Sequence, residues 1–205
     1  MKKLLMVLMI AVFGVVLAGN AMAIPVVGDL AVDFRASAWA PAYGSASMTV
    51  DNVTATALPV GYYLFQDNVD GLGVLGREDD EIDTDERIRV EFSGFGMYLT
   101  GAWVTDLFAR DDGAGPLTQG EQGKVTINGS STIVFYGDNS DQGNGEQWVD
   151  FGGPILVTKA VFRIDGAETN NEHSVAGFTA VPEPATLLLV GLGLVGVAGL
   201  RRKFF

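Results

Sequence analysis

Residues 124–136 read KVTINGSSTIVFY, and few stretches restrict a chain more. Two short runs rich in Val, Ile, Thr and Tyr flank Asn128-Gly129. An Asn-Gly pair accepts the positive φ angles of a type I′ turn, whose twist matches that of two paired antiparallel strands. The stretch therefore predicts a β-hairpin. The same period of two recurs along the chain. Leu30, Val32, Phe34 and Ala36 alternate with Asp33, Arg35 and Ser37. Ala46, Met48 and Val50 share one side of their segment. Ile88, Val90 and Phe92 alternate with Arg87, Arg89 and Glu91, and Met97 and Leu99 with Tyr98 and Thr100. Side chains at i and i+2 share a face only in an extended strand. VGYYLF (60–65), EQWVDF (146–151), PILVTKAVFRID (154–165) and HSVAGFTAV (173–181) complete the set. No amphipathic helix and no internal repeat is evident between the two ends. About nine or ten short strands joined by Gly, Asp and Asn turns predict an all-β antiparallel sandwich, jelly-roll-like, with a barrel as the structural alternative.

The two ends have a different character. Lys2 and Lys3 precede an uncharged apolar run from Leu4 to Leu17, and Ala21-Met22-Ala23 offers a small-x-small cleavage site. Residues 1–23 thus read as a secretory signal peptide, with signal peptidase as the implied partner. At the other end, residues 185–200 carry no charge. As a helix they span about 24 Å against a hydrocarbon core of about 30 Å, a gap that flanking residues or local thinning closes. Arg201, Arg202 and Lys203 follow. They place this transmembrane helix with its C-terminus in the cytoplasm. Pro182, Glu183 and Pro184 stand just ahead of the run and form a stiff joint. The chain therefore divides into a signal peptide (1–23), a secreted β-sandwich domain (24–180) and a C-terminal signal (181–205).

Charge narrows the function of the middle. The ends hold five of the 13 basic residues and one of the 25 acids, which leaves 8 bases against 24 acids and a net charge of −16. That field repels nucleic acid and anionic lipid and favours multivalent cations. The densest run is Glu78 to Glu86, and within it Asp79, Asp80, Asp83 and Asp85 are candidate calcium ligands. Calcium takes six to eight oxygens, which a carboxylate-rich loop supplies. A second polar loop offers Asp138, Asn139, Asp141, Asn144 and Glu146, without EF-hand spacing. Calcium is the one cofactor that the composition invites.

No catalytic constellation stands out, and the reading is non-enzymatic. There is no cysteine, which removes thiolate chemistry. His173 is the only histidine, a poor basis for zinc or copper. Gly71 to Gly76 reads GLGVLG, formally a dinucleotide fingerprint. The acids that follow would repel phosphate, so these read as turn or packing glycines. Trp39, Trp103, Trp148, Tyr62 and Tyr63 are of the kind that stacks on sugars, and in a sandwich most such residues pack the core.

The order Val181-Pro182-Glu183-Pro184, apolar helix, Arg201-Arg202-Lys203 resembles the PEP-CTERM sorting signal of Gram-negative bacteria. The resemblance implies processing by exosortase, a membrane enzyme that cuts near Pro-Glu-Pro. It also implies transient residence in the inner membrane, then a place on the cell surface or in an exopolysaccharide or biofilm matrix. The stretches DGLGVLGREDDEIDTDERIRVEFSGF and SVAGFTAVPEPAT are similar to domains found on such proteins. The resulting expectation is a structural or binding protein. The alternatives are a calcium-dependent carbohydrate-binding module and, less favoured, a glycan hydrolase or lyase.

Overall fold

The computed structural model describes residues 30–76, 80–108, 121–137, 145–164 and 172–180. The signal peptide, the apolar run 185–200, Pro182, Glu183, Pro184 and the basic cluster Arg201, Arg202 and Lys203 lie outside the described residues. Among the described residues no helix is long and apolar enough to cross a membrane.

The described chain forms strands β1 (Val32–Asp33), β2 (Ser47–Val50), β3 (Val53–Leu58), β4 (Tyr63–Gln66), β5 (Leu72–Leu75) and β6 (Arg87–Phe92). They are followed by β7 (Met97–Thr105), β8 (Gln122–Ile127), β9 (Ser131–Tyr136), β10 (Gln147–Val157), β11 (Lys159–Ile164) and β12 (Ser174–Ala180). A short 3-10 helix spans Ser37–Ala42. All strand pairs of the two sheets are antiparallel. One sheet runs β10-β7-β12-β5-β4, with β1 beside β12; the other runs β2-β3-β6-β11-β8-β9.

The pairs β5/β12, β6/β11, β7/β10 and β8/β9 are nested one inside the next. They form one long double hairpin whose innermost turn is Asn128-Gly129. Rolling it up adds the pairs β7/β12 and β8/β11, which gives the strand order of a jelly roll. β4 extends one sheet, and the hairpin β2/β3 extends the other.

The innermost turn is also a clamp. Asn128 and Gly129 have φ of 51° and 76°, as a type I′ turn requires. The Asn128 side chain then reaches the β10–β11 connection. Its Oδ1 accepts the Thr158 N–H at 2.9 Å, the Thr158 hydroxyl at 3.0 Å and the Lys159 N–H at 3.2 Å. Its Nδ2 donates to the Leu156 carbonyl at 2.8 Å. One residue thus closes the β8/β9 hairpin and holds it against the next turn.

Between the sheets the core is aromatic. Phe178 of β12 meets Phe92 of β6 and Phe162 of β11 at ring-centroid distances of 5.4 and 5.8 Å, and Phe34 at 5.9 Å. Phe34 in turn meets Trp39 edge-on at 4.8 Å. Burial of each phenyl ring contributes about 1.5–3 kcal/mol, and such edge-to-face pairs add about 0.5–1.5.

Two local expectations need correction. The strand expected from Leu30 to Ala36 is only Val32–Asp33. Asp33 Oδ1 accepts the Arg35 N–H at 3.0 Å, and the Ala36 N–H bonds to the Asp33 carbonyl at 3.3 Å. This turn sends the chain into the 3-10 helix that buries Trp39. The segments EQWVDF and PILV, expected apart, are one strand. Gly152 and Gly153, at φ of 81° and 121°, form a bulge that shifts the register between Asp150 and Ile155. β10 is an edge strand, so Pro154 interrupts no central ladder.

The sandwich has two distinct ends. At one, Ala180 pairs with Leu99, Val157 with Met97, and the Ala31 N–H bonds to Phe178. Both ends of the described domain leave here, beside the Asn128 turn. At the other, Ser174 pairs with Thr105, and Arg87 with Leu58 and Arg163.

Asn128→Gly keeps the positive φ and deletes the clamp. It is expected to cost about 1–3 kcal/mol, the range for losing several partly exposed hydrogen bonds. Asn128→Ala adds the strain of a side chain at positive φ and is expected to cost about 1 kcal/mol more. Denaturant unfolding of both variants checks this; a wild-type midpoint for Asn128→Gly would show the clamp to be idle.

Candidate functional site

The acidic residues gather at the end where β12 begins. Ile82 bridges to His173, its N–H donating to the His173 carbonyl at 2.8 Å, while the Val74 N–H bonds to the Glu81 carbonyl at 3.1 Å. The segment 80–82 is therefore wedged between β5 and the start of β12. Gly73 permits this, since any Cβ there would collide with the Asp80 carbonyl. Beside it, Asp106 follows Thr105, and the Thr105 hydroxyl donates to the Asp70 carbonyl at 2.9 Å. Asp67, Asp70, Asp80, Glu81, Asp106 and Glu172 thus come together from separate connections.

Burial first, and mutual repulsion after it, show in their proton affinities. Burial, then the hydrogen bond and charge of Asp80 and the charges of Glu172 and Asp106, push Glu81 up to about 9. Burial and the charge of Asp70, with smaller pushes from Asp80 and Asp67, raise Asp106 to about 7 against an opposing hydrogen bond from Thr105. Asp106 Oδ2 is buried without a hydrogen-bond partner. Among the described residues, however, no three of these groups converge as a ready-made metal site.

The four calcium candidates are divided by the fold. Asp79 lies outside the described residues. Asp80 joins the cluster. Asp83 and Asp85 belong instead to a turn in which Glu86 N–H bonds to the Asp83 carbonyl at 3.0 Å and Asp83 N–H to Glu86 Oε2 at 3.1 Å. Asp83 Oδ1 accepts the Thr84 N–H. Glu86 and Asp83 are buried, whereas Asp85 is exposed at φ 72°. The Asp83 and Glu86 carboxylates are thus used on their own backbone. Of the second polar loop, Asp138, Asn139, Asp141 and Asn144 lie outside the described residues; Glu146 pairs with Arg35 at 3.2 Å.

Other candidate groups are dispersed. His173 is fully buried, stands edge-on to Phe135 at 5.2 Å, and is held down to about 3 by desolvation. Trp39 is core, Trp103 and Trp148 face each other across β7 and β10, and Tyr63 lies on the opposite edge strand. A cleft lined by Thr84, Asp85, Glu86, Arg87, Arg163 and Ile164 encloses about 180 Å³, below the roughly 300 Å³ at which small-molecule pockets begin. Residues 71–76 are strand and packing glycines: β5 runs through them and a strand, β6, comes next.

The remaining site is linear. β12 ends at Ala180, and residues 180–203 match the family model of the PEP-CTERM protein-sorting motif. The chain carries a PEP-CTERM sorting signal. The match overlaps the jelly roll only at Ala180, the last residue of β12. The motif makes this an exported protein, membrane-associated before processing, with exosortase as its processing partner. No curated protein and no solved structure matches the chain.

The perturbed groups set a pH dependence. Unfolded, both carboxylates ionise near pH 4, so the native state retains protons that the unfolded state has lost. Stability therefore falls as pH rises towards about 7 for Asp106 and about 9 for Glu81. His173 acts in the opposite sense, and only between about 6.5 and about 3. Above pH 6.5 the carboxylates alone operate, so the melting temperature is expected to fall from pH 6.5 to 9. Glu81→Gln and Asp106→Asn should each flatten that decline. A wild-type melting temperature that rises over this range would contradict the assignment.

Proposed function

We propose that this chain is a non-catalytic extracellular component, a jelly roll delivered to the cell surface or exopolysaccharide matrix, where it has a structural or binding role. One observation carries the reading: the sorting motif begins at residue 180, where the last strand, paired on both sides, is complete. Tail removal next to Pro182-Glu183-Pro184 would release a finished domain. The non-catalytic part is supported by the single histidine, which is buried and held neutral. In this reading residues 1–23 are removed by signal peptidase. Residues 185–200 then hold the chain in the inner membrane with Arg201, Arg202 and Lys203 on the cytoplasmic side.

Proline at 182 and 184 keeps the joint extended, and an extended backbone presents the peptide groups that a helix would hide. Glu183 resists entry into hydrocarbon and so fixes the depth of the joint. Replacing Pro182, Glu183 and Pro184 with alanine is expected to leave insertion intact and to abolish tail removal in the native host. Intact masses of the exported protein decide it. A wild-type chain that keeps Arg201 to Phe205, or an alanine variant trimmed equally well, would overturn the sorting role.

The second reading is a calcium-dependent carbohydrate-binding module. Its calcium half is favoured by the unpartnered Asp106 Oδ2 within the acidic cluster. Calcium that bound only the native state would raise the melting temperature at pH 8, by about 2.7 kcal/mol of stability at a hundredfold excess over Kd. Magnesium would do less, since it dehydrates reluctantly, and Asp106→Asn would remove the effect. Equal melting with calcium and with chelator would leave the structural reading alone.

A further inference from the structure

The end of the sandwich from which the tail departs differs chemically from the acidic end. Its turns comprise residues 51–52, 93–96, 128–130 and Thr158, all tied to the same level: Val53 pairs with Phe92, the Ser93 N–H bonds to Asn52, and the Phe92 N–H to Thr158. Of the described residues in these turns only Asp51 is charged. Phe95 stands out from the β6–β7 turn, 95% exposed, between Gly94 and Gly96 at φ of 73° and 82°. Tyr98 and its cross-strand partner Leu156 lie beside this turn on the outer face, 60% and 41% exposed. The phenyl ring buries nothing on this two-glycine turn, and with Tyr98 and Leu156 it makes three exposed apolar side chains at one end of the sandwich rather than a single one.

We infer that Phe95, with Tyr98 and Leu156, is a membrane-interface foot that seats the folded domain on the bilayer surface before the tail is removed. The inference rests on the reading above that residues 185–200 enter the bilayer. Only Val181 to Pro184 separate β12 from that run, and four extended residues reach about 14 Å. This end of the sandwich is therefore confined to the headgroup region or just above it. Aromatic residues are favoured there, because the ring meets the acyl boundary while the backbone stays hydrated. The charge distribution gives the same orientation. Asp80 and Glu172, whose charges bear on Glu81, lie at the start of β12, about 20 Å from its end at about 3.3 Å per residue. An anionic surface repels that end and tolerates the nearly uncharged one. Such seating would hold the Pro-Glu-Pro joint at a fixed depth.

The absence of cysteine makes the test direct. The full chain is prepared as Phe95→Cys and, separately, as Val60→Cys. Val60 is 97% exposed and sits beyond Leu58, at the acidic end. Each is labelled with an environment-sensitive fluorophore and reconstituted in vesicles of zwitterionic and anionic phospholipid. The label at position 95 is expected to brighten severalfold with a blue shift and to be quenched by lipid-borne quencher, while the label at position 60 stays water-like. Alkaline extraction of the same vesicles reports separately whether the tail is inserted. An inserted chain whose position 95 remains water-like overturns the foot and leaves the tail reading standing. A chain that extracts freely overturns the tail reading, and the foot with it. Brightening at position 95 that depends on protein concentration and ignores the lipid quencher would mean contact with a second copy or another protein, and would also overturn the foot.

Discussion

The nesting of four strand pairs inside one another depends on the turn at Asn128-Gly129. A jelly roll is a long double hairpin rolled up, so an error at its innermost turn moves every pairing outside it. A one-residue slip would carry Val125, Ile127 and Phe135 from the core to the solvent face. The type I′ geometry fixes the register of β8 and β9. The Asn128 side chain then fixes the hairpin against the β10–β11 connection through Leu156, Thr158 and Lys159. Local turn chemistry and a long-range contact thus agree at one residue, the consistency expected of a sequence that specifies a single fold.

The outermost pair, β5 with β12, has the opposite character. β12 is the last strand among the described residues and a central strand of its sheet, with β7 on one side and β5 and β1 on the other. Phe178 within it links the two sheets through Phe92 and Phe162. The sheet and the core therefore remain open until residues 174–180 are in place. The sorting motif begins at residue 180, so on the proposed reading export of the final strand and arrival of the tail at the membrane would be nearly one event. On the proposed reading, the domain closes beside the bilayer rather than far from it.

Much of this was legible in the sequence where the signal is local. The Asn-Gly hairpin, the alternation in β6 and β7, and the linear sorting motif each need only neighbours in the chain. Long-range features were not legible. Gly152-Gly153 reads as a break between two strands, and only pairing with β7 shows it to be a bulge inside one. Asp33 looks like one more polar position in an alternating run, yet its carboxylate ends β1. The acidic run 78–86 has the composition of a solvated loop, and composition does not say that Asp83 and Glu86 turn inward to cap their own backbone. Asp106, Asp70 and Glu172 carry no motif; only the meeting of separate connections at the start of β12 brings Asp106 and Glu172 to Glu81 and Asp70 to Asp106.

The cost of that meeting bears on what the acidic end is for. Carboxylates whose proton affinity is raised by burial, and then by one another's charge, lower the stability of the native state at neutral pH, and a fold under no other demand would disperse them or pair them with bases. Bases are present: Arg87 and Arg163 lie opposite each other at this end of the other sheet. Yet the groups that act on Glu81 and Asp106 are acids and the Thr105 hydroxyl. The repulsion is therefore left in place, at the end of the domain that points away from where the chain meets the tail. Burial and repulsion together keep Glu81 protonated near neutral pH, so the end holds a proton that unfolding would release.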